Sequence, residues 1–445
     1  MQLKPYLYLF KSSVVGALGG LLFGFDTAVI AGTTNQLQAQ FNLSSAALGF
    51  TVSSALWGTV ISAMTSGVPG EKFGARETLR VAALLYVISA LGCAFAWDWY
   101  SLIVFRFIGG LGIGCSSVLG PVYIAELAPA KWRGRLVGLF QINVVLGILL
   151  AYFSNYIIGT FPLGLNEWRW KLGISAVPAI FFLVMLFGIP RSPRWLVARG
   201  RTDEARDVLK NTCVDEDPEK ELQDIVNNIQ KEHAKPNEPL FCKKYRLPIF
   251  LAIATGAFNQ LSGINAILYY LNDIFALAGF NKLSSDLQAV IIGATNMVAV
   301  LVAMSVIDKL GRKALLLIGS VGTALCMAGV AVIFFTHENM NALVYLLVGY
   351  IAFFSFSQGA VIWVYVSEIF PTPVRAKGQS LGSSSHWIMN AIISGVFPIL
   401  AKSSGAYPFV FFSAMMVLQF FVVWFIFPET KGITLEDMEH QLAIH

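Results

Sequence analysis

A chain of 445 residues that is 56% hydrophobic and only 13% charged, with a mean hydropathy of +0.66, is not a soluble globular protein. Soluble domains carry about 25% charged residues. The net charge of +5 does not indicate nucleic acid as a partner, because the basic residues are spread over short connecting segments. The apolar runs are long and do not alternate, which fits membrane-spanning helices of about 20 residues rather than barrel strands of about 10. The expectation is an all-α membrane protein.

In chain order, Lys4 and Lys11 precede an apolar run in the manner of a signal peptide. That run is too long for one, contains Asp26 and leads into further spans, so it reads as a retained first helix. Twelve spans are predicted, at 12–34, 47–69, 77–96, 99–125, 135–158, 169–189, 247–275, 285–306, 314–335, 342–369, 378–402 and 406–427. Between the sixth and seventh lies a polar segment, 190–246, with too little apolar residue for a second core. It mixes charges with helix formers, as in Asp203-Glu204-Ala205-Arg206, and predicts short surface helices. A tail, 428–445, follows the last span. Cys93, Cys115, Cys213, Cys242 and Cys326 show no paired spacing, so neither a disulfide framework nor a metal site is expected.

Orientation follows from Lys and Arg. One set of loops holds Lys72, Arg76, Arg80, Lys131, Arg133, Arg135, Lys309, Arg312, Lys313, Arg375 and Lys377, plus the central segment and both tails. The other set holds Arg169, Lys171, Lys282 and Lys402. The positive-inside rule then places both termini in the cytoplasm of a multi-pass plasma (inner) membrane protein.

An internal repeat divides the chain. Val122-Tyr123-Ile124-Ala125-Glu126 ahead of Arg133 is echoed by Val364-Tyr365-Val366-Ser367-Glu368 ahead of Arg375. Glu71-Lys72-Phe73-Gly74-Ala75-Arg76 is echoed by Asp308-Lys309-Leu310-Gly311-Arg312-Lys313, and Pro190-Arg191 by Pro428-Glu429. The offsets are all about 240 residues, so two six-helix halves, 1–189 and 247–427, run in the same direction. Parallel halves suit a transporter in which one half rocks against the other around a midplane site.

Two charges fall inside apolar helices, Asp26 in the first span and Arg106 in the fourth. An intramembrane carboxylate costs roughly 2.5–3.5 kcal/mol on insertion scales. Guanidinium stays charged, so Arg106 needs an anion, and Asp26 is the candidate within the same half. A fixed structural pair and a proton-binding pair both remain open on this ground. The amides Gln141, Asn259, Gln260, Asn265, Asn296 and Asn390 also lie in predicted spans. Each amide both donates and accepts, as a sugar hydroxyl requires, and the alternative is helix–helix bonding. Their number, with three in one helix, favours a polar cavity. Glu126, Arg133, Glu368, Arg375, Asp308 and Arg312 stand near helix ends, where ion pairs can form and break.

These residues resemble the sugar porters of the major facilitator superfamily over nearly the whole chain. The likeness rests on Gly19 to Asp26, Arg106-Phe107-Ile108-Gly109-Gly110, Ala125 to Pro129, Ser192-Pro193-Arg194-Trp195-Leu196, Gln260 to Asn265, Asp308 to Arg312, and Pro428 to Gly432. The chain is similar to the bacterial xylose, arabinose and galactose–proton symporters of that family. The resemblance implies proton-coupled uptake of a monosaccharide by a monomer without cofactor, metal or enzymatic activity, with Asp26 and Arg106 in proton coupling. It implies that Gln141, Gln260, Asn265 and Asn296 bond the sugar, and that Phe23, Tyr269, Trp363 and Trp387 line or gate the cavity. Asn259 stands where the family has a second Gln. His386 stands where relatives carry an amide, and either bonds a hydroxyl, titrates near neutral pH or is a neutral packing residue.

Arg76, Glu126, Arg133, Asp308, Arg312, Glu368, Arg375 and Glu429 correspond to the family's latch of the outward-facing state. Three departures bear on it. Ala75 replaces an Arg and Arg191 replaces a Glu, so the first-half latch is expected to be weak and inward-facing states favoured. Ala360 replaces a Pro, which predicts a stiffer tenth helix. An uncoupled facilitator of the same fold and a non-transporting sugar sensor are the alternatives.

Overall fold

The computed structural model describes residues 3–213, 217–234, 239–371 and 374–431, and those residues are helical with short connections. Twelve helices among them are long and apolar enough to cross a membrane. They are Pro5–Gly32, Ser45–Thr65, Ala75–Ala94, Trp99–Leu127, Trp132–Gly159, Gly164–Gly188, Lys243–Tyr269, Lys282–Ile307, Arg312–Thr336, Ala342–Glu368, Arg375–Ser403 and Tyr407–Ile426. Each matches one expected span. The first starts earlier than its apolar run because helix formation does not stop where hydropathy does. The tail beyond Lys431 lies outside the described residues.

Local chemistry fixes several ends. The fourth span starts at a capping box, in which Asp98 accepts from the Ser101 backbone N–H at 2.8 Å while the Ser101 hydroxyl accepts from the Asp98 N–H. The seventh is interrupted at Gly263, whose φ of +88° is a left-handed conformation and whose missing Cβ would meet the Phe412 ring at 2.4 Å. Only glycine meets both demands. The tenth breaks at Ser357, whose φ and ψ are −114° and −88°. Ala360 lies within the helix that follows the break, and the interruption sits three residues earlier, where the Ser357 hydroxyl bonds the Phe353 carbonyl at 2.6 Å.

Among its described residues the polar connection carries three short α-helices, Pro193–Ala198, Thr202–Thr212 and Pro218–Ala234. Leu196, Ala205, Leu209 and Leu222 bury one another there, and the charges face out. By compactness the chain groups into two units. One is Met1–Asp26, Gly58–Ile148 and Leu172–Pro236; the other is Thr27–Trp57, Leu149–Lys171 and Asn237–His445. The second unit thus contains the second repeat together with parts of the first, second, fifth and sixth helices.

Candidate transport site

Asp26 closes the apolar run of the first helix and faces Arg106, two turns into the fourth. Arg106 Nη1 donates to Asp26 Oδ1 at 3.2 Å. The Arg106 side chain is 3% exposed and that of Asp26 18%, so the cation is sealed while the carboxylate keeps an open side. The contact is a single bond, not a bidentate fork, and Arg106 Nε has no acceptor. Leu22, Tyr86, Ser89, Ala90, Cys93, Leu172 and Ser175 complete the cavity around the pair. Tyr86 and Ser89 lie three residues apart on one face of the third helix, a spacing visible in the sequence, but nothing there showed which way the face turns. Phe23 and Gln141 are half-buried on the first and fifth helices.

The amides of the second repeat form a connected set. Asn265 Nδ2 donates to Gln260 Oε1 at 3.1 Å, and Gln260 Nε2 donates to Asn259 Oδ1 at 3.1 Å. Gln260 Nε2 also lies 3.3 Å from the ring nitrogens of His386. Gln260 thereby links Asn259 and Asn265, and Asn265 is the half-buried member of the three. Asn259 Nδ2 reaches the Gln358 carbonyl at 3.4 Å, so the shorter side chain is tied to the interrupted tenth helix. Gln358, 2% exposed, was missed in the sequence because it sits at the break rather than in a motif.

His386 lies between two indoles, with its ring centroid 5.2 Å from Trp363 and 5.1 Å from Trp387. Trp363 is 41% exposed, whereas Trp387 and His386 are buried. Tyr269 Oη accepts from Asn390 Nδ2 at 3.4 Å, and Asn296 Oδ1 accepts from the Ser355 hydroxyl at 2.7 Å. Asn390 and Asn296 are thus engaged between helices, on the eleventh and eighth spans. The set offers flat ring surface beside hydrogen-bonding amides, the combination that a sugar's C–H face and hydroxyls call for.

The two repeats differ at the opposite ends of these helices. In the second, Arg312 grips Glu368 through Nη2 at 2.9 Å and Nε at 3.1 Å. Glu429 accepts from the backbone N–H groups of Arg312, Lys313, Thr430 and Lys431 at 2.9–3.0 Å. Burial would raise the Glu429 carboxyl, but those four N–H groups outweigh it and hold it below the ordinary glutamate value. Arg375 Nε donates to the Phe370 carbonyl at 3.3 Å. The side chain of Asp308 lies outside the described residues.

In the first repeat the hub is Glu77, which the motif reading did not include. It receives Arg76 at 2.5 Å, Arg80 at 2.7 Å and Arg191 at 3.4 Å. Its signal was the Glu77…Arg80 spacing, an i,i+3 pair on one helix face, whereas the contact with adjacent Arg76 is not one that helix spacing predicts. Glu126 bonds the Ser192 side chain, with Arg194 as its nearby cation, and Arg133 donates to the Ala125 carbonyl at 3.1 Å.

Fold and site together define a polytopic membrane protein of the major facilitator class, with a buried acid–base pair in one repeat and an amide–indole cluster in the other. The chain belongs to the sugar transporter family: the family model described as "Sugar (and other) transporter" matches residues 12–442. It is similar to the D-xylose-proton symporter of Escherichia coli (strain K12), 34% identical over 469 residues that cover 97% of this chain and 95% of that protein. The arabinose-proton symporter of Bacillus subtilis (strain 168) is 37% identical over 453 residues, 98% of each chain. Among solved structures, the inward open conformation of the xylose transporter XylE from E. coli matches with a TM-score of 0.87 at 33% identity, covering 98% of this chain and 100% of that one.

Proposed function

We propose that this protein carries a monosaccharide into the cell together with a proton, by alternating access across the plasma (inner) membrane. The observation that carries the reading is the Asp26–Arg106 pair, a sealed cation bonded once, at 3.2 Å, to a carboxylate with an open side. Protonating Asp26 releases Arg106, and ionising it restores the pair, so the pair's geometry and its proton occupancy are linked. The names of the relatives, symporters of D-xylose and of arabinose, support both the substrate class and the coupling. On this reading the moving parts are the repeats 1–189 and 247–427, joined by 190–246 and followed by the tail 428–445. The basic loops and both termini face the cytoplasm, and the working unit is a monomer without enzymatic activity.

Asn259, Gln260, Asn265, Asn296, Asn390 and His386 supply hydrogen bonds from the second repeat and Gln141 from the first. Phe23, Tyr269, Trp363 and Trp387 supply ring surface. The self-bonded Asn265–Gln260–Asn259 chain must open for a hydroxyl to enter it, so binding exchanges amide–amide for amide–sugar bonds. Arg76, Glu126, Arg133, Asp308, Arg312, Glu368, Arg375 and Glu429 act as a cytoplasmic latch.

The test is reconstitution into proteoliposomes with an imposed pH gradient and labelled xylose, arabinose, glucose and galactose. The wild type is expected to accumulate at least one of them above equilibrium, and Asp26→Asn only to equilibrate it. Equilibration alone by the wild type would mean an uncoupled facilitator. Undiminished accumulation by Asp26→Asn would move coupling to another group.

A further inference from the structure

A second set of buried charges lies at the face opposite the basic loops. Lys171, two turns into the sixth span, is 0% exposed, which is rare for an ammonium. Its Nζ lies 2.8 Å from Glu167 Oε1 and 3.4 Å from Asp286 Oδ2, and donates to the Gly32 carbonyl at 3.1 Å. Two of its hydrogens thus bond the Gly32 carbonyl and Asp286, while the Glu167 contact is an ion pair that leaves Glu167 Oε1 without a hydrogen-bond donor. Asp286, 1% exposed, also accepts through Oδ1 from Asn272 Nδ2, and the other oxygen of Glu167 pairs with Lys282. Two carboxylates and two ammoniums make the cluster neutral. Gly159, the last residue of the fifth span, completes it by omission: a Cβ there would lie 2.8 Å from Asp286 Oδ2.

The membership matters more than the charges. Gly32, Gly159, Glu167 and Lys171 come from the first repeat, and Asn272, Lys282 and Asp286 from the second. All belong to one compact unit. Tyr152 of the fifth span adds a bond across the same repeats, its hydroxyl donating to the Leu268 carbonyl at 2.8 Å.

We infer that Lys171, Glu167 and Asp286 form an outer ionic latch, a set of positioning residues that holds the outer ends of the two repeats together and parts each time the outward-facing state forms. The inference rests on the alternating-access reading above. Its physical basis is bistability. Burying charges carries a desolvation cost that offsets much of their mutual attraction, so opening the cluster into water returns hydration in exchange for the ion pairs it breaks. An apolar seal of the same extent would lose free energy in proportion to the area exposed. The same pair is intolerant of misalignment, since a half-open cluster leaves a charge both dry and unpaired. The latch therefore favours two positions and disfavours those between them.

Removing Lys171 alone strands two carboxylates and endangers folding, so the decisive variant is Lys171→Met with Asp286→Asn. It keeps the cluster neutral through Glu167 and Lys282 and keeps an acceptor for Asn272. Spin labels on cysteines at the exposed outer positions Asn42 and Ser403, with the partly buried Cys213, Cys242 and Cys326 replaced by serine, report the outer separation by double electron–electron resonance. The double variant is expected to raise the long-distance population at least threefold and to change KM for outside-in sugar uptake more than kcat. Lys171→Arg, which keeps the charge, is expected to stay near the wild-type distribution. A folded double variant with an unchanged or shorter distribution overturns the latch, as does an equally large shift in Lys171→Arg. The distances are read without transport, so failure of the symport reading in the uptake assay is distinguishable from failure of the latch.

Discussion

The junctions at the basic-loop ends of the two repeats carry one repeated sequence pattern, yet they are held by different chemistry. In the second repeat Glu429 receives four backbone N–H groups, two from the start of the ninth helix and two from the residues that follow it, beside the bidentate Arg312–Glu368 pair. In the first, Arg191 occupies the position of Glu429, and no carboxylate replaces it. Arg191 turns instead to Glu77, which already carries Arg76 and Arg80, and stacks on Trp195 with its guanidinium carbon 5.5 Å from the ring centroid. One junction is backbone capping by an anion at a helix start. The other is three cations sharing one anion. A repeat can keep its backbone while its two copies divide between these solutions, because either one satisfies the local donors.

The largest way to break this comparison is Glu429→Ala. It leaves four N–H groups without their acceptor and is expected to cost about 2–3 kcal/mol, read as a lower thermal unfolding midpoint in detergent. A shift of less than a degree would mean that water caps the helix equally well. Glu77→Ala comes next, at about 1–2 kcal/mol, since its pairs are 17–31% exposed on the arginine side and partly hydrated already. If it exceeded Glu429→Ala, the ranking of the two junctions would be reversed.

The same contrast has a pH signature. Because the folded Glu429 carboxyl lies below the ordinary glutamate value, it contributes stability at pH above that value. That contribution fades as pH falls through about 4.3 toward the lower folded value. Glu429→Gln is expected to flatten this part of the midpoint-against-pH curve, and an unchanged slope in the variant would assign it to other carboxylates. The smallest effect is Arg191→Glu, which replaces the third cation near Arg76 and Arg80 with an anion. It is expected to stabilise the first junction by about 0.5 kcal/mol and to move inter-label distances toward the outward-facing population. Distances indistinguishable from wild type would separate Arg191 from any conformational bias.

Much of this protein was legible before any coordinates. Twelve spans follow from hydropathy, because the bilayer demands about 20 apolar residues in succession wherever a helix crosses. Asp26 and Arg106 stood out for the same reason, as charges that a membrane tolerates only when partnered, and the structure pairs them. Tertiary packing decided which polar groups meet. Glu77 rather than a motif residue became the first-repeat hub, Ser357 rather than position 360 took the break in the tenth helix, and His386 came to rest against Gln260 between two indoles. Lys171 shows the division most plainly: in the sequence it was one of four outer basic residues, and in the structure it is fully buried between carboxylates from both repeats. Hydropathy is a property of each segment and can be read along the chain. Pairing depends on which helix faces turn toward one another, and that is set by contacts between residues far apart in the chain, 80 positions for Asp26 and Arg106 and 115 for Lys171 and Asp286.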